Sequence, residues 1–339
     1  MPIRVGKYTL KLETTPMVIS YSSVVGKKES EGPLGKCFDQ CHSDTTLGES
    51  SWEKAESRMQ NEAVNIALRK ANLKSADIDC IFAGDLLNQC ISSTFGLRSL
   101  DIPFLGQFGA CSTMAQTLGI ASLFVEAGAA KRAVAVTSSH FCTAERQFRY
   151  PLEYGGQRTP NSQWTATASG AILVGNSYDR LEAKVGISAV TFGRITDLGV
   201  KDANNMGAAM APAAAGTLLS YFSDTQTGPD NCDRILTGDL GRVGSDLLRQ
   251  LMKREGYDIS GKQSDCGLMI YDMAKQDVHA GGSGCGCSAA VLCSTILQQM
   301  EAGQLHKVLF IGTGALMSPT SSQQGESIPS VAHLICLEA

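Results

Sequence analysis

Phe108-Gly109-Ala110-Cys111-Ser112-Thr113 sets a cysteine at the opening of an apolar, alanine-rich stretch. A thiol at a helix start meets free backbone N–H groups and the positive end of the helix dipole, which lower its pKa and favour a thiolate or a bound anion. The competing reading is a small, buried and inert cysteine, and spacing alone leaves both open. Cys285-Gly286-Cys287 resembles half of a metal site, but no second pair of ligands stands at zinc spacing, so no metal is expected. The twelve cysteines are scattered from Cys37 to Cys336, many of them within apolar runs such as Val291-Leu292-Cys293. That scatter points to buried thiols or a reducing compartment rather than a disulfide framework.

The elements around Cys111 occur twice. Cys111-Ser112 opens a stretch that runs to Glu126-Ala127-Gly128, passes basic Lys131-Arg132 and enters Ala133-Val134-Ala135-Val136-Thr137. Cys287-Ser288 opens another that runs to Glu301-Ala302-Gly303, passes His306-Lys307 and enters Val308-Leu309-Phe310-Ile311-Gly312. Each predicts a helix closed by a glycine, with cations at its negative end, followed by a buried strand. Upstream, Gly84-Asp85-Leu86 matches Gly238-Asp239-Leu240, and each follows a helix-like segment, 52–71 and 205–222. Each half then finishes on a strand, 170–175 and 330–336. Alternating strands and helices make the fold class α/β, with mixed sheets and layered helices.

The expected division is an N-terminal half over 1–185 and a C-terminal half over 186–339, a new strand pattern starting at 184–192. The segment 141–167, rich in Gln, Arg, Gly and Pro, predicts a long functional or interface connection with a turn at Tyr154-Gly155-Gly156. At 339 residues, 43% hydrophobic and 18% charged, with 35 glycines, the chain can bury a large interior. A net charge of −4 gives no basic face for nucleic acid. The first fifteen residues lack the apolar core of a secretory signal, and no run matches a bilayer, so a membrane role is expected to be peripheral.

Ala110-Cys111 through Gly128, and Gly170-Ala171-Ile172-Leu173-Val174, resemble the nucleophile region and the closing N-terminal strand of thiolases and ketoacyl synthases, whose fold is duplicated. A larger set of strings is similar to the stage V sporulation protein AD family over nearly the whole chain. It comprises Thr137-Ser138-Ser139-His140-Phe141, Ala144-Glu145-Arg146-Gln147-Phe148-Arg149, Glu153-Tyr154-Gly155-Gly156-Gln157-Arg158, Gln163-Trp164-Thr165, Thr237-Gly238-Asp239-Leu240-Gly241-Arg242 and His279-Ala280-Gly281-Gly282-Ser283-Gly284-Cys285. Against the synthases, the position of the catalytic histidine holds Thr237 and that of the second polar group aligns with Ser283. The late thiolase cysteine falls at Gly312-Thr313-Gly314. A thiol without its base is a weak catalyst, so the resemblance implies a protein that is not an enzyme, with an acyltransferase using Cys111 as the alternative.

The family resemblance further implies binding of dipicolinic acid, alone or as its calcium chelate, and its uptake into the developing spore, with no cofactor. On that reading Cys111 faces one side of an anion-friendly pocket with Thr237 and Arg242 nearby, and His279 and Ser283 line the opposite loop. His140 is the last member of the set. Competing roles are an ion pair for Arg242, which opens a helix over 243–254, a turn cap for His279 and a solvated strand end for His140. Arg146, Arg149 and Arg158 are expected to be solvated or at an interface. A homodimer through the N-terminal half, and other spore membrane proteins of the same operon as partners at the inner membrane, complete the expectation. A scaffold with a vestigial pocket is the remaining alternative.

Overall fold

The computed structural model describes residues 1–149 (for Arg149 the backbone alone), 158–176 and 183–339. The turn expected at Tyr154-Gly155-Gly156 lies outside the described residues. Ten strands form the spine of one sheet: β1 (Met17–Val25), β2 (Cys80–Gly84), β3 (Phe104–Gly106), β4 (Arg132–Ser139), β5 (Ala168–Gly175), β6 (Gly186–Phe192), β7 (Arg234–Thr237), β8 (Gln263–Asp265), β9 (Lys307–Ala315) and β10 (Ser330–Glu338). Their order is β8-β7-β9-β10-β6-β1-β5-β4-β2-β3.

The duplication is legible in that order. Outward from the centre, the N-terminal repeat runs β1-β5-β4-β2-β3 and the C-terminal repeat β6-β10-β9-β7-β8. In both, the first two pairings are antiparallel and the last two parallel. Between β1 and β6 a single residue pair, Met17 with Gly186, makes the connection. Strands such as β5 are buried along their whole length, as helices on both faces of a sheet require.

Helices pack between the two halves of the sheet and on their outer faces. The two apolar stretches form α3 (Thr113–Glu126) and α7 (Cys285–Val291), packed between the halves in a shared core that takes Met114 and Leu118 from one and Cys287, Ala290 and Val291 from the other. The α7 chain continues through a π-helical turn, Leu292–Ile296, into Leu297–Glu301. Gly128 and Gly303 follow the two stretches with φ of +72° and +70°, the left-handed closure that glycine accepts freely. α1 (Trp52–Lys70) covers the outer face of the N-terminal half, capped by Ser51, whose Oγ accepts from the Lys54 N–H. α5 (Met206–Thr225) and α6 (Gly241–Arg254) cover the outer face of the C-terminal half.

One expectation is corrected. The segment 141–167 is not a plain connection: it begins with a helix, α4 (Phe141–Arg149), and ends in a short strand, Trp164–Thr165, paired in parallel with Gly282–Ser283. The Trp164 ring stacks on Phe141 at 3.8 Å. Its aromatic and paired residues therefore join α4 to the loop that carries Ser283. Short α2 (Ile91–Leu97) lies between β2 and β3 against α1.

Candidate functional site

Cys111 sits in one turn of 3-10 helix, Ala110–Ser112, immediately before α3. Ala110 holds φ at +50°, a strained conformation for a residue with a Cβ, and the bend it makes tucks the thiol inward. β9 must approach this bend closely. A Cβ on Gly312 would stand 2.7 Å from that of Ala115, and one on Gly314 would stand 3.0 Å from the Ser112 nitrogen. These two glycines occupy the stretch where a thiolase carries its late cysteine.

The thiol is 5% exposed. Its Sγ lies 3.8 Å from the Ser283 hydroxyl, which donates to Asp239 Oδ2 at 3.2 Å. Asp239 is itself wholly buried. Its Oδ2 accepts the Gly284 N–H at 2.9 Å, and its Oδ1 accepts the Thr313 hydroxyl at 2.8 Å. Burial pushes the Cys111 thiol well above its ordinary pKa, and the neighbouring Asp239 and Cys285 push in the same direction. Burial also raises Asp239, against the hydrogen bonds that favour its charge. Of the two readings left open by the sequence, the buried, protonated thiol is the one this environment favours: desolvation and a carboxylate outweigh the dipole.

The cavity beside the thiol measures about 40 Å³ and is lined by Cys111, Ser283, Thr165, Glu145 and apolar groups including Leu86, Phe148, Met206 and Met317. That is room for a few waters at most, well below the volume of sites that enclose small ligands. Its acidic groups, Glu145 on the wall and Asp239 behind Ser283, also make it a poor host for a dianion, contrary to the anion-friendly pocket expected from the sequence. Glu145 pairs with Arg158 at 3.0 Å, and that guanidinium lies 5.4 and 5.2 Å from the ring centres of Phe141 and Trp164. Arg158 is therefore a packed residue rather than a solvated one, and Arg146 pairs with Glu53.

Of the six residues singled out in the sequence, the structure brings together Cys111 and Ser283. Thr237, at the end of β7, turns its hydroxyl away to Asp265 Oδ2 at 2.7 Å and accepts from Gln263 Nε2 at 3.0 Å, so it serves the sheet edge. Arg242 is exposed on the first turn of α6 outside the cavity, where its backbone N–H donates to Ala280 O, and it makes no ion pair among the described residues. His279 also lies off the cavity, in a left-handed turn (φ +50°), with Nε2 3.3 Å from Asp277. His140 is buried, not solvated. Its Nδ1 accepts the Cys142 N–H at 3.1 Å, so its Nε2 carries the proton and donates to Thr45 O at 2.8 Å. Burial holds its pKa below the ordinary value, and the ring acts as a neutral structural clamp. None of the five histidines, all of them described, lines the cavity.

Asp239 is the site residue that sequence reading missed, although its signal was present in the repeated Gly-Asp-Leu string. Asp265 supports it from behind. Its Oδ2 accepts the Leu240 N–H at 2.8 Å and its Oδ1 accepts the Gly241 N–H at 3.1 Å, fixing the turn that carries Asp239.

A duplicated α/β fold with a cysteine at the start of a central helix defines the thiolase-like class. Solved structures agree. The chain is similar to 3-oxoacyl-[acyl-carrier-protein] synthase III from Aquifex aeolicus (TM-score 0.58, 14% identity, 96% of this chain and 100% of that one). A variant of Xanthomonas campestris OleA gives TM-score 0.59, 12% identity, 96% and 98% coverage. The tetronic acid condensing enzyme AbyA1 gives 0.58, 15%, 96% and 100%. At such identities the likeness concerns the fold.

Sequence comparison goes further. Residues 6–338 match the family Stage V sporulation protein AD (SpoVAD). The Stage V sporulation protein AD of Bacillus subtilis (strain 168) is 47% identical over 333 residues, covering 98% of this chain and 97% of that protein. The chain belongs to the stage V sporulation protein AD family.

Proposed function

We propose that this sporulation protein is a non-catalytic, thiolase-like binder of dipicolinic acid or its calcium chelate, and that it takes part in moving that ligand into the developing spore. The observation that carries the non-catalytic part is the environment of Cys111. The thiol is buried against a serine and a carboxylate with no imidazole on the cavity wall, so the histidine that would generate the nucleophile of a Claisen condensation is missing from it. Membership of the sporulation family supports the ligand. Among the described residues no helix is long and apolar enough to cross a membrane, which favours attachment at the spore inner membrane through partner proteins.

A homodimer belongs to the same proposal. β3 ends the sheet with all three of its residues exposed, and Phe108 beyond it is also exposed. An uncovered apolar edge strand is a template for pairing, and a second copy would cover it.

Calorimetric titration of the purified chain with dipicolinate, with and without calcium, tests the ligand. Saturable heat supports the proposal and its absence at millimolar ligand removes it. Incubation with acyl-CoA thioesters followed by mass spectrometry tests the other half, since an acyl adduct on Cys111 would establish transferase chemistry.

A further inference from the structure

α4 is a wall between two cavities. Its Ala144, Glu145 and Phe148 face the small cavity beside Cys111, and its Thr143, Arg146 and Gln147 face an open cleft whose other sides are α1 and the segment 87–99. The Gln147 amide ties α4 to the chain after β2, donating to Leu86 O at 3.0 Å and accepting the Asn88 N–H at 2.9 Å. Beneath this wall lie two wholly buried carboxylates, Glu56 and Asp85, which the Cys111 site does not use.

Glu56, on α1, accepts the Ser138 hydroxyl of β4 at 3.0 Å on one oxygen and the Thr143 hydroxyl of α4 at 2.8 Å on the other. Asp85, just beyond β2, accepts the Leu87 N–H and the N–H and hydroxyl of Ser93 in α2. Gln60, one turn along α1, joins the two: its Nε2 donates to Gly84 O at 3.1 Å and lies 3.1 and 3.3 Å from the hydroxyls of Ser93 and Ser138. These donors are hydroxyls and backbone N–H groups, and neither carboxylate makes an ion pair among the described residues. Two like charges in that setting oppose each other, and the pair retains a proton. Burial, then Asp85, pushes Glu56 up to about 8, and burial raises Asp85. The geometry has a place for that proton. Protonated Glu56 donates to Thr143 Oγ1, whose own hydroxyl then turns to His140 O, 2.9 Å away, so each donor keeps an acceptor.

The titratable groups facing the pair supply no positive charge. Cys285 of α7 donates its thiol to Ser138 O at 3.1 Å and is itself raised by burial and by both carboxylates. Burial, then Asp85, raises Cys90 to about 11. His140, at the end of β4, is held neutral and turned to Thr45 O, and Arg146 of α4 is taken by Glu53. A second ionisation can therefore be relieved only by water, and α4 is the covering wall with an open cleft on its far side.

We propose that Glu56 and Asp85 form a proton-dependent latch: the proton on the pair keeps α4 seated on α1, and its loss lets α4 move outward and opens the cavity beside Cys111. Seated, Glu56 titrates near 8; with α4 displaced and the carboxyl in water it returns to the ordinary carboxylate range. The seated state is thus complete at low pH and weakens as pH rises toward 8. Between pH 7 and 8.5 the displaced population should rise roughly fivefold. In that window His140 is mostly neutral with α4 seated or displaced and opposes the change only weakly.

Hydrogen–deuterium exchange on the intact chain, read as protection factors so that the intrinsic pH dependence of exchange is removed, follows the amides of 141–148 at pH 7 and 8.5, with α3 as reference. Protection over 141–148 should fall roughly fivefold in the parent and stay level in Glu56→Gln, which carries no charge at either pH, with α3 unchanged in both. The ratio of the parent's Cys111 alkylation rate to that of Glu56→Gln should rise by the same factor, a comparison in which the ionisation of the thiol cancels. Thr143→Val spares both carboxylates and cuts only the tie to α4, so 141–148 should exchange faster than in the parent at both pH values. Circular dichroism checks each fold. Level protection in the parent, an equal fall in Glu56→Gln, a fall that α3 shares, or Thr143→Val as protected as the parent overturns the latch. Loosening of α4 with an unchanged Cys111 ratio overturns the opening of the cavity.

Discussion

Replacing Asp239 by asparagine should wake the Cys111 thiol. The contacts from sulfur to Ser283 Oγ, 3.8 Å, and from that oxygen to Asp239 Oδ2, 3.2 Å, bound the sulfur–carboxylate separation at about 7 Å. A unit charge at that upper limit, in an effective dielectric of about 20, disfavours the thiolate by about 2.4 kcal/mol, and by more at any shorter separation. At about 1.4 kcal/mol per tenfold step, that is roughly a 50-fold smaller thiolate population than the same site would hold without the charge. Asparagine keeps the shape and an acceptor for Gly284 N–H while removing the charge.

The assay is alkylation by iodoacetamide at pH 7.5, followed peptide by peptide in a mass spectrometer, with exposed Cys41 as an internal reference. In the parent chain Cys111 should react at least about 100-fold more slowly than Cys41, because the thiolate is the reactive form and burial alone also suppresses it. In Asp239→Asn the Cys111 rate should rise by about one to two orders of magnitude while Cys41 is unchanged. Cys111 alkylating as fast as Cys41 in the parent, or failing to respond to the substitution, would refute the account of a thiol kept protonated by its neighbours.

Glu56 is wholly buried beside Asp85, and both are held above the ordinary carboxyl pKa, chiefly by burial. A raised folded-state pKa means stability that is complete at low pH and drains away as pH rises through the folded value. Between pH 7.5 and 8.5, where buried His333 (lowered to about 4 by burial) and buried His140, also lowered, are largely neutral in the unfolded chain as well, the melting temperature should fall with pH, and Glu56→Gln should flatten the slope; a parallel slope in the variant contradicts this. Gly286→Ala would place a Cβ 2.6 Å from the Ser139 nitrogen and should cost about 1–3 kcal/mol or more in urea unfolding, whereas an unchanged midpoint would mean that the α7–β4 contact gives way easily. Thr237→Val, which strips a hydroxyl donor from Asp265, should lower stability by about 1–3 kcal/mol and leave dipicolinate titration unchanged, and a change in affinity would return Thr237 to the binding site. Leu105→Lys on the exposed β3 edge should shift light-scattering mass toward the monomer, and an unaltered mass would put the dimer contact elsewhere.

The fold was largely legible because a duplication states each element twice. The helix after Cys111 and the strands around 133–137, 308–312 and 330–336 lie where hydrophobic runs and closing glycines put them. α4 was hidden because it is short and lies in a Gln-, Arg-, Gly- and Pro-rich segment that reads as a connection, and part of its packing comes from Trp164, fifteen residues beyond its end. The site was less legible for a different reason. Thr237 and His140 sit at strand ends, which sequence order places near a pocket, but a side chain at a strand end points to one face or the other. Thr237 points to Asp265 and His140 to the carbonyl of Thr45, a partner 95 residues away that no spacing rule supplies.

The repeated Gly-Asp-Leu string shows how a duplication yields a site in one copy alone. In the N-terminal half, Asp85 closes its own turn: one oxygen takes the Leu87 N–H at 2.8 Å and the other the Ser93 N–H and hydroxyl at 2.8 and 2.6 Å. In the C-terminal half the equivalent turn is closed by another residue, Asp265 at the end of β8, which takes the N–H groups of Leu240 and Gly241. Relieved of that task, Asp239 extends to the Ser283 hydroxyl, the Gly284 N–H and the Thr313 hydroxyl, and so comes within reach of Cys111. Buried carboxylates persist only where donors satisfy them, so Asp239 depends on Asp265 to hold the turn in place. Removing the Asp265 carboxylate would leave four donors, including the Thr237 hydroxyl and the Leu268 N–H, competing for nothing. It would also let Asp239 swing back to cap its own turn as Asp85 does, freeing the thiol by a second route.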